Sequence, residues 1–486
     1  MKRYFYFFLV LAGSYPALLF ANVQKDAPHD PIAPILLWVT LILFFALVGR
    51  YLARCIGQPG VLGELLMGVL LGNLSYYFGS DLMVILREGP EIFNIMGAIL
   101  RGEALPQAVA THITNPFYAR EIIEALTGPH GLDLIKIGYV LDVFSRYGVI
   151  FLLFMVGLES SVEELKHTGR ESIQVAVLGV LAPIFLGFIV AHLLLPAASY
   201  KVDLFVAATL SATSVGITAR VLAEMKKLRT REARTILGAA MIDDILGLII
   251  LAIVSSLVIN DAVDFSVVVR IVLSALMFFV VALTVGPFIL RKVVNFFDHF
   301  LDFWEVKLLA SFIFVMVLAW LATLVDLAAI IGAFAAGLIL HDDFFTSKNG
   351  NHHHESRSIK SLVGPLESIL APLFFILIGI QVKLETFANW SVLTMSAGLI
   401  VAAIVGKLIS GLGGNKKDDR LLIGVGMLPR GEVGLVFASI GRTLGVISDQ
   451  LFSAVILMVV VTTFLAPPLL KARYAKNPRD IKHEHK

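Results

Sequence analysis

The chain reads as an all-α polytopic membrane protein of about 13 transmembrane helices, on the strength of three observations. Of its 486 residues 58% are hydrophobic and only 16% are charged, whereas a soluble chain is typically about a quarter charged. Apolar stretches of roughly 20 residues, the length a helix needs to cross the hydrocarbon of a bilayer, recur along nearly the whole sequence. Little room is left for a soluble domain beyond loops and tails.

The elements follow in order. In residues 1–22, Lys2 and Arg3 precede an apolar run from Tyr4 to Ala12, and Leu19, Phe20 and Ala21 end in a small residue. This pattern fits a signal peptide, and an uncleaved extra helix broken near Pro16 is the competing reading. Thereafter the hydrophobic runs predict helices at residues 32–50, 59–76, 140–159, 171–195, 203–224, 234–258, 266–290, 305–325, 327–341, 365–384, 390–411, 420–441 and 449–470. They belong to one membrane domain over residues 30–473, followed by a basic tail at 474–486.

Basic residues alternate between the connections. One set holds Arg50, Arg54, Lys166, Arg170, Lys226, Lys227, Arg229, Arg231, Arg234, Arg291 and Lys292, continuing with Lys348, Arg357, Lys360, Lys416, Lys417 and Arg420. The opposite connections carry isolated cations such as Lys201, Lys383 and Arg442, and an acidic turn from Asp261 to Asp264. The positive-inside rule then predicts an external mature N-terminus and a cytoplasmic tail, in a bacterial-type inner membrane.

One external connection, residues 77–136, is long and mixes charge with apolar stretches, which predicts short surface helices. The internal loop from His341 to Lys360 contains His352, His353 and His354, read as an exposed polar loop. Cys55 is the only cysteine, so a monomer has neither an intrachain disulfide nor a cysteine metal cage. Nothing in the distribution of the +2 net charge points to nucleic acid, and no cofactor motif is present.

Ionisable groups inside spans are costly in hydrocarbon and are therefore functional candidates. The sixth span holds Asp243 and Asp244 about a third of the way along an apolar helix; neighbours diverge by about 100°, so both cannot face one partner. Lys407 lies in the eleventh span beside Gly406, and a buried ammonium needs an anion, for which Asp243 is the expected partner. Snorkelling to the nearby surface is the alternative. Arg430 and Glu432 lie in Pro429-Arg430-Gly431-Glu432, where proline and glycine predict an interrupted helix. The fifth span has a matching weakness at Ser211-Ala212-Thr213-Ser214-Val215-Gly216. Two interrupted spans in separate halves point to an inverted-repeat transporter with a midplane ion site. Broken helices expose dipole ends, which Glu432, Arg430 or Lys407 could neutralise. Thr213 and Ser214 offer the oxygen ligands a hard cation prefers. Glu64 and Glu159 are weaker candidates near helix ends, and Asp326 is read as a turn residue.

On Gly60-Val-Leu-Gly-Glu64, Leu153-Phe-Met-Val-Gly-Leu-Glu159, Ser211-Ala-Thr-Ser-Val-Gly216, Met241-Ile-Asp-Asp244, Phe374-Phe-Ile-Leu-Ile-Gly379 and Pro429-Arg-Gly-Glu-Val-Gly434, the chain resembles the monovalent cation:proton antiporter-2 group of the sodium/proton exchanger superfamily. The resemblance implies a homodimer with a dimerisation domain and a mobile core containing two crossed, broken helices. It further implies that Asp244 binds the cation, sodium first with lithium or potassium as alternatives, or protons. Asp243 would exchange its bond to Lys407 with protonation, in an electrogenic exchange. No metal beyond the transported cation is implied.

Potassium-efflux relatives carry a nucleotide-binding domain after the membrane part; this chain stops soon after its last span and shows no strand followed by G-x-G-x-x-G, so gating of that kind is not expected. An aspartyl protease needs facing carboxylates, usually from separate helices, which adjacent aspartates do not provide. A passive cation channel is the nearer rival.

Overall fold

A computed structural model describes residues 32–89, 91–113, 115–158, 162–196, 198–260, 265–297, 303–325, 327–345, 358–385, 390–430, 434, 437, 438, 440, 441 and 444–475. Among them the only regular elements are helices. Nine helices are long and apolar enough to span a membrane among the described residues: α1 (Ala33–Cys55), α7 (Gly131–Leu158), α8 (Val162–Leu194), α11 (Arg231–Asn260), α12 (Phe265–Phe297), α13 (Phe303–Leu324), α15 (Ile359–Ile380), α16 (Trp390–Ser410) and α18 (Asp449–Ala475). The other expected spans correspond to α2 (Gly60–Tyr77), α14 (Ala329–Ile339) and two interrupted segments.

The first interrupted segment is α9 (Tyr200–Thr209) followed by α10 (Val215–Glu224), and the second begins with α17 (Arg420–Gly426). Both breaks fall where small and polar residues replace bulky ones, as the sequence predicts: residues 212–214 and 428–430 lie outside any helix. The breaks meet. The Ser214 amide donates to the Pro429 carbonyl at 2.7 Å, and the Thr218 hydroxyl donates to the Gly426 carbonyl at 2.7 Å. Backbone groups that lose their helical partners in a dry interior are thus satisfied by the other broken helix, which is the condition for irregular backbone at membrane depth.

The helices form two bodies. In one, α15 packs on α7 and α2, α14 on α7 and α13, and α1 on α2. In the other, α8 is the centre and contacts α9, α11 and α16, with α18 against α16. One apolar cluster belongs wholly to the second body, joining Phe205, Leu399, Phe437 and Met458. A larger cluster fills the seam and draws on both, from Val61 and Phe154 to Ile217, Leu237 and Met427.

The 77–136 connection folds into α3 (Asp81–Leu86), α4 (Glu91–Leu100), α5 (Leu105–His112) and α6 (Pro116–Thr127). The short helices expected there are present, but they are more than surface decoration. They share a third apolar cluster with α1, α2, α7 and α15, including Trp38, Ile42, Leu71, Ile95, Ile122 and Ile380. Polar groups fix the same attachment: Arg87 binds Glu385 at 2.6 Å, Tyr118 donates to Glu385 at 2.9 Å, and Lys383 pairs with Glu88 and lies 3.6 Å from the centre of the Tyr118 ring. The insertion is therefore built into the first body.

Some boundaries differ from expectation. Helix α7 starts at Gly131, nine residues before the predicted 140, because Asp133 and Lys136 pair along the helix at 3.3 Å and make a charged first turn compatible with it. Helix α8 likewise begins at Val162 rather than 171. The readings of residues 1–22, Glu159, Asp326, His352, His353, His354, Glu432, Arg442 and the 476–486 tail lie outside the described residues.

Candidate functional site

The site is assembled where α11, α16 and the two helix breaks converge. Helix α16 can approach α8 closely because residue 406 is glycine: a Cβ there would stand 2.7 Å from the Pro183 backbone. This approach carries Lys407 fully into the interior, at 0% exposure. Snorkelling is thereby ruled out. Its Nζ lies 3.4 Å from Asp243 Oδ1 and 3.5 Å from Oδ2, and it donates to the Ser211 carbonyl. Lys407 thus joins the carboxylate on α11 to a carbonyl at the end of α9.

Asp243 is 1% exposed and Asp244 8% exposed. Their divergence around α11 gives them different surroundings: Asp243 takes the ammonium, while Asp244 is close enough for Lys407 to feel its charge. Thr213 is buried and faces Asp243, and Ser214 is partly accessible.

Arg430 is fully buried and donates from Nη1 to the Ala212 carbonyl at 2.8 Å. Its Nε and Nη2 find no partner among the described residues. The Arg430 carbonyl accepts from Thr463 of α18. Two cations therefore sit on successive carbonyls, Ser211 and Ala212, where the negative dipole end of α9 would otherwise be exposed. With Asp243 and Asp244 ionised, Lys407 and Arg430 balance the formal charge of the cluster. Of the oxygens at the first break, the carbonyls of Ser211 and Ala212 are occupied in this state, which leaves the Thr213 and Ser214 side chains as the remaining ligand candidates.

Glu64 is elsewhere. It is completely buried near the start of α2 and pairs with Arg50 at 2.6 Å, in the body that lacks the aspartates. The sequence reading overlooked Arg220, 7% exposed within α10, and Asp203, 0% exposed and 3.0 Å from His192 Nδ1. Both lie in the predicted fifth span, so the cost of a charge inside an apolar stretch was the available signal.

Two crossed helix breaks with buried acidic and basic groups at their crossing define a secondary ion transporter of the broken-helix type. The chain belongs to the sodium/hydrogen exchanger family: the sequence model described as "Sodium/hydrogen exchanger, transmembrane" matches residues 122–472. It is 36% identical over 462 residues to the high-affinity Na+/H+ antiporter NhaS3 of Synechocystis sp., covering 93% of this chain and 92% of that protein. It is 31% identical over 405 residues to the Na+/H+-K+ antiporter GerN of Bacillus cereus, covering 81% and 98%. Among solved structures, the sodium proton antiporter MjNhaP1 of Methanocaldococcus jannaschii at pH 8 superposes with a TM-score of 0.55 over 92% of this chain and 98% of that one. At 16% identity this likeness concerns the fold alone.

Proposed function

We propose that this protein exchanges a monovalent cation, sodium first, with lithium and potassium as alternatives, for protons by alternating access. Asp244 binds the cation or protons, with Thr213 and Ser214 completing the oxygen shell. Asp243 gives up Lys407 when it takes a proton. The observation that carries this reading is Lys407 itself, fully buried and held between Asp243 and the broken end of α9. Protonation of Asp243 would release an ammonium whose other anchor belongs to the moving backbone, so charge and conformation are linked.

A carboxylate in a dry cavity resists ionisation, which places protons and a small cation in competition for it. Occupancy by either reduces the charge that must cross the seam. The body built on α8, carrying both breaks, moves against the body of α1, α2, α7 and α12–α15. The latter is the dimerisation side in a homodimer, and Arg430, with Glu432, offsets the dipole ends as the core moves. The asymmetry of the basic connections supports an orientation with the Arg50 and Lys226 end in the cytoplasm of a bacterial-type inner membrane and the mature N-terminus outside.

Potassium stays in the proposal because GerN is named for Na+/H+-K+ exchange. Proton movement in proteoliposomes, on adding sodium, lithium or potassium, tests the reading. Cation-driven proton release by the native protein, lost in Asp244→Asn, is expected. Cation flux without proton coupling would replace the antiporter with a passive channel.

A further inference from the structure

A second group of charges, with Glu64 and Arg220 buried and Arg50, Glu224 and Glu367 partly buried, crosses the seam away from the aspartates. From the first body it contains Arg50 of α1, Glu64 and the Gly60 amide of α2, and Glu367 of α15. From the second it contains Arg220 and Glu224, one turn apart on α10. Arg50 holds Glu64 Oε1 through Nε and Nη2 at 2.7 and 2.6 Å. Arg220 Nε binds Glu224 at 3.1 Å, and its Nη1 reaches across to Glu367. Glu224 in turn accepts the Gly60 amide.

The Glu224 contact fills a local need. Pro59, at the N-cap of α2, offers no side-chain acceptor, so the first amide of that helix is capped by a carboxylate from the other body. The positive end of the α2 dipole favours an anion there. Glu64 Oε2, fully buried and without a partner among the described residues, lies in the same cluster, and its charge is felt by Arg220. Two arginines face three carboxylates. These bonds join the bodies through α10 alone, and α10 begins at the break: six residues separate Ser214 from Arg220, about 9 Å along a helix.

We propose that Arg220 and Glu224 form an interlock between the two bodies, made in the state described here and broken in the opposite one. Its strength sets the balance between the two open forms. The inference rests on the alternating-access reading above. Buried ion pairs give little net stability against apolar packing, yet losing one partner while the other stays buried is strongly unfavourable. Such a contact can therefore separate only if this end of the seam opens to water, which ties the ion cluster to one of the two accessible states. An interlock on α10 reports directly to the ligand oxygens at its other end.

The test uses the single natural cysteine to advantage. In a Cys55→Ser background, Arg220→Cys and Glu367→Cys are bridged with a short, reducible bis-thiosulfonate in proteoliposomes. Sodium-driven proton release should fall about tenfold or more on bridging and return on reduction, because the movement itself is arrested. Undiminished exchange by the bridged protein overturns the interlock while leaving antiport intact. Absence of cation-coupled proton movement in the native protein would instead sink the antiport reading. Hydrogen exchange provides a second measurement that needs no cysteine. In the native protein the segment 58–64 should exchange faster during turnover than in arrested Asp244→Asn, since the Gly60 amide loses Glu224 in each cycle. Equal protection in the two conditions refutes the proposal, even if the reduced double-cysteine protein is inactive.

Discussion

Replacing Lys407 with alanine isolates the energetic role of the buried ammonium. The substitution leaves the Asp243 carboxylate at 1% exposure without its cation and removes the donor from the Ser211 carbonyl. Breaking a buried pair in this way costs about 3–5 kcal/mol. The carboxyl can escape by keeping a proton. Against an ordinary aspartate value of about 3.9, and at about 1.36 kcal/mol per pH unit, holding it neutral costs about 4 kcal/mol at pH 7 and about 1.5 kcal/mol at pH 5. A carboxyl held neutral in the fold contributes stability below its ordinary value and loses it as pH rises. Lys407→Ala should therefore be destabilised by about 4 kcal/mol at pH 7, with the deficit shrinking to nearer 1.5 kcal/mol at pH 5. Asp243→Asn in the same background removes the stranded acid, so the double variant should be more stable than Lys407→Ala at pH 7 and show a flat pH response. The assay is reversible denaturant unfolding in mixed micelles, followed by circular dichroism at both pH values. A Lys407→Ala deficit that does not change with pH, or a double variant no better than the single, would refute the reasoning.

Other outcomes can be checked beside it. Gly406→Ala places a Cβ 2.7 Å from the Pro183 backbone, so it should lower unfolding stability by about 1–3 kcal/mol, the usual range for overpacking, and weaken sodium-driven proton release because Lys407 is displaced with α16. Thr463→Val removes the donor to the Arg430 carbonyl and should cost about 1–3 kcal/mol in the same unfolding assay; an unchanged midpoint would show that the break is held without it. Glu385 joins the insertion to the end of α15. Burial pushes its carboxyl up, but its own backbone amide and the Arg87 guanidinium outweigh this and hold it below the ordinary carboxylate value. Its bond therefore persists above that ordinary value and is lost as pH falls through the depressed one. Hydrogen-exchange protection of α3 and α6, taken relative to the intrinsic rate at each pH, should stay flat from pH 8 to about 5, where a free carboxyl is still ionised, and Glu385→Gln should loosen both helices at neutral pH.

The spans were legible because a bilayer leaves few ways to arrange an apolar chain, and the breaks were legible because proline, glycine and hydroxyl residues interrupt the required hydrophobic length at 211–216 and 424–431. The pairing of Lys407 with Asp243 followed from scarcity, since a buried ammonium in this chain has few anions within reach. Backbone partners were not legible. That Lys407 and Arg430 would settle on the carbonyls of Ser211 and Ala212 depends on the crossing of two distant segments, which no residue type announces. Arg220 escaped notice because it lies near the end of its predicted span, where a charge can equally face water. The start of α7 was hidden by Asp133 and Lys136, whose helical spacing neutralises the charges that suggested a loop.

The attachment of the insertion has a practical corollary. Among the described residues, an apolar cluster and two ion pairs fasten the α3–α6 insertion to the first body, so whatever is hung on it travels with that body. An antibody fragment or a fused fluorophore on α5 or α6 would serve as a fixed landmark, against which displacement of a second label on α9 could be read as distance while exchange proceeds.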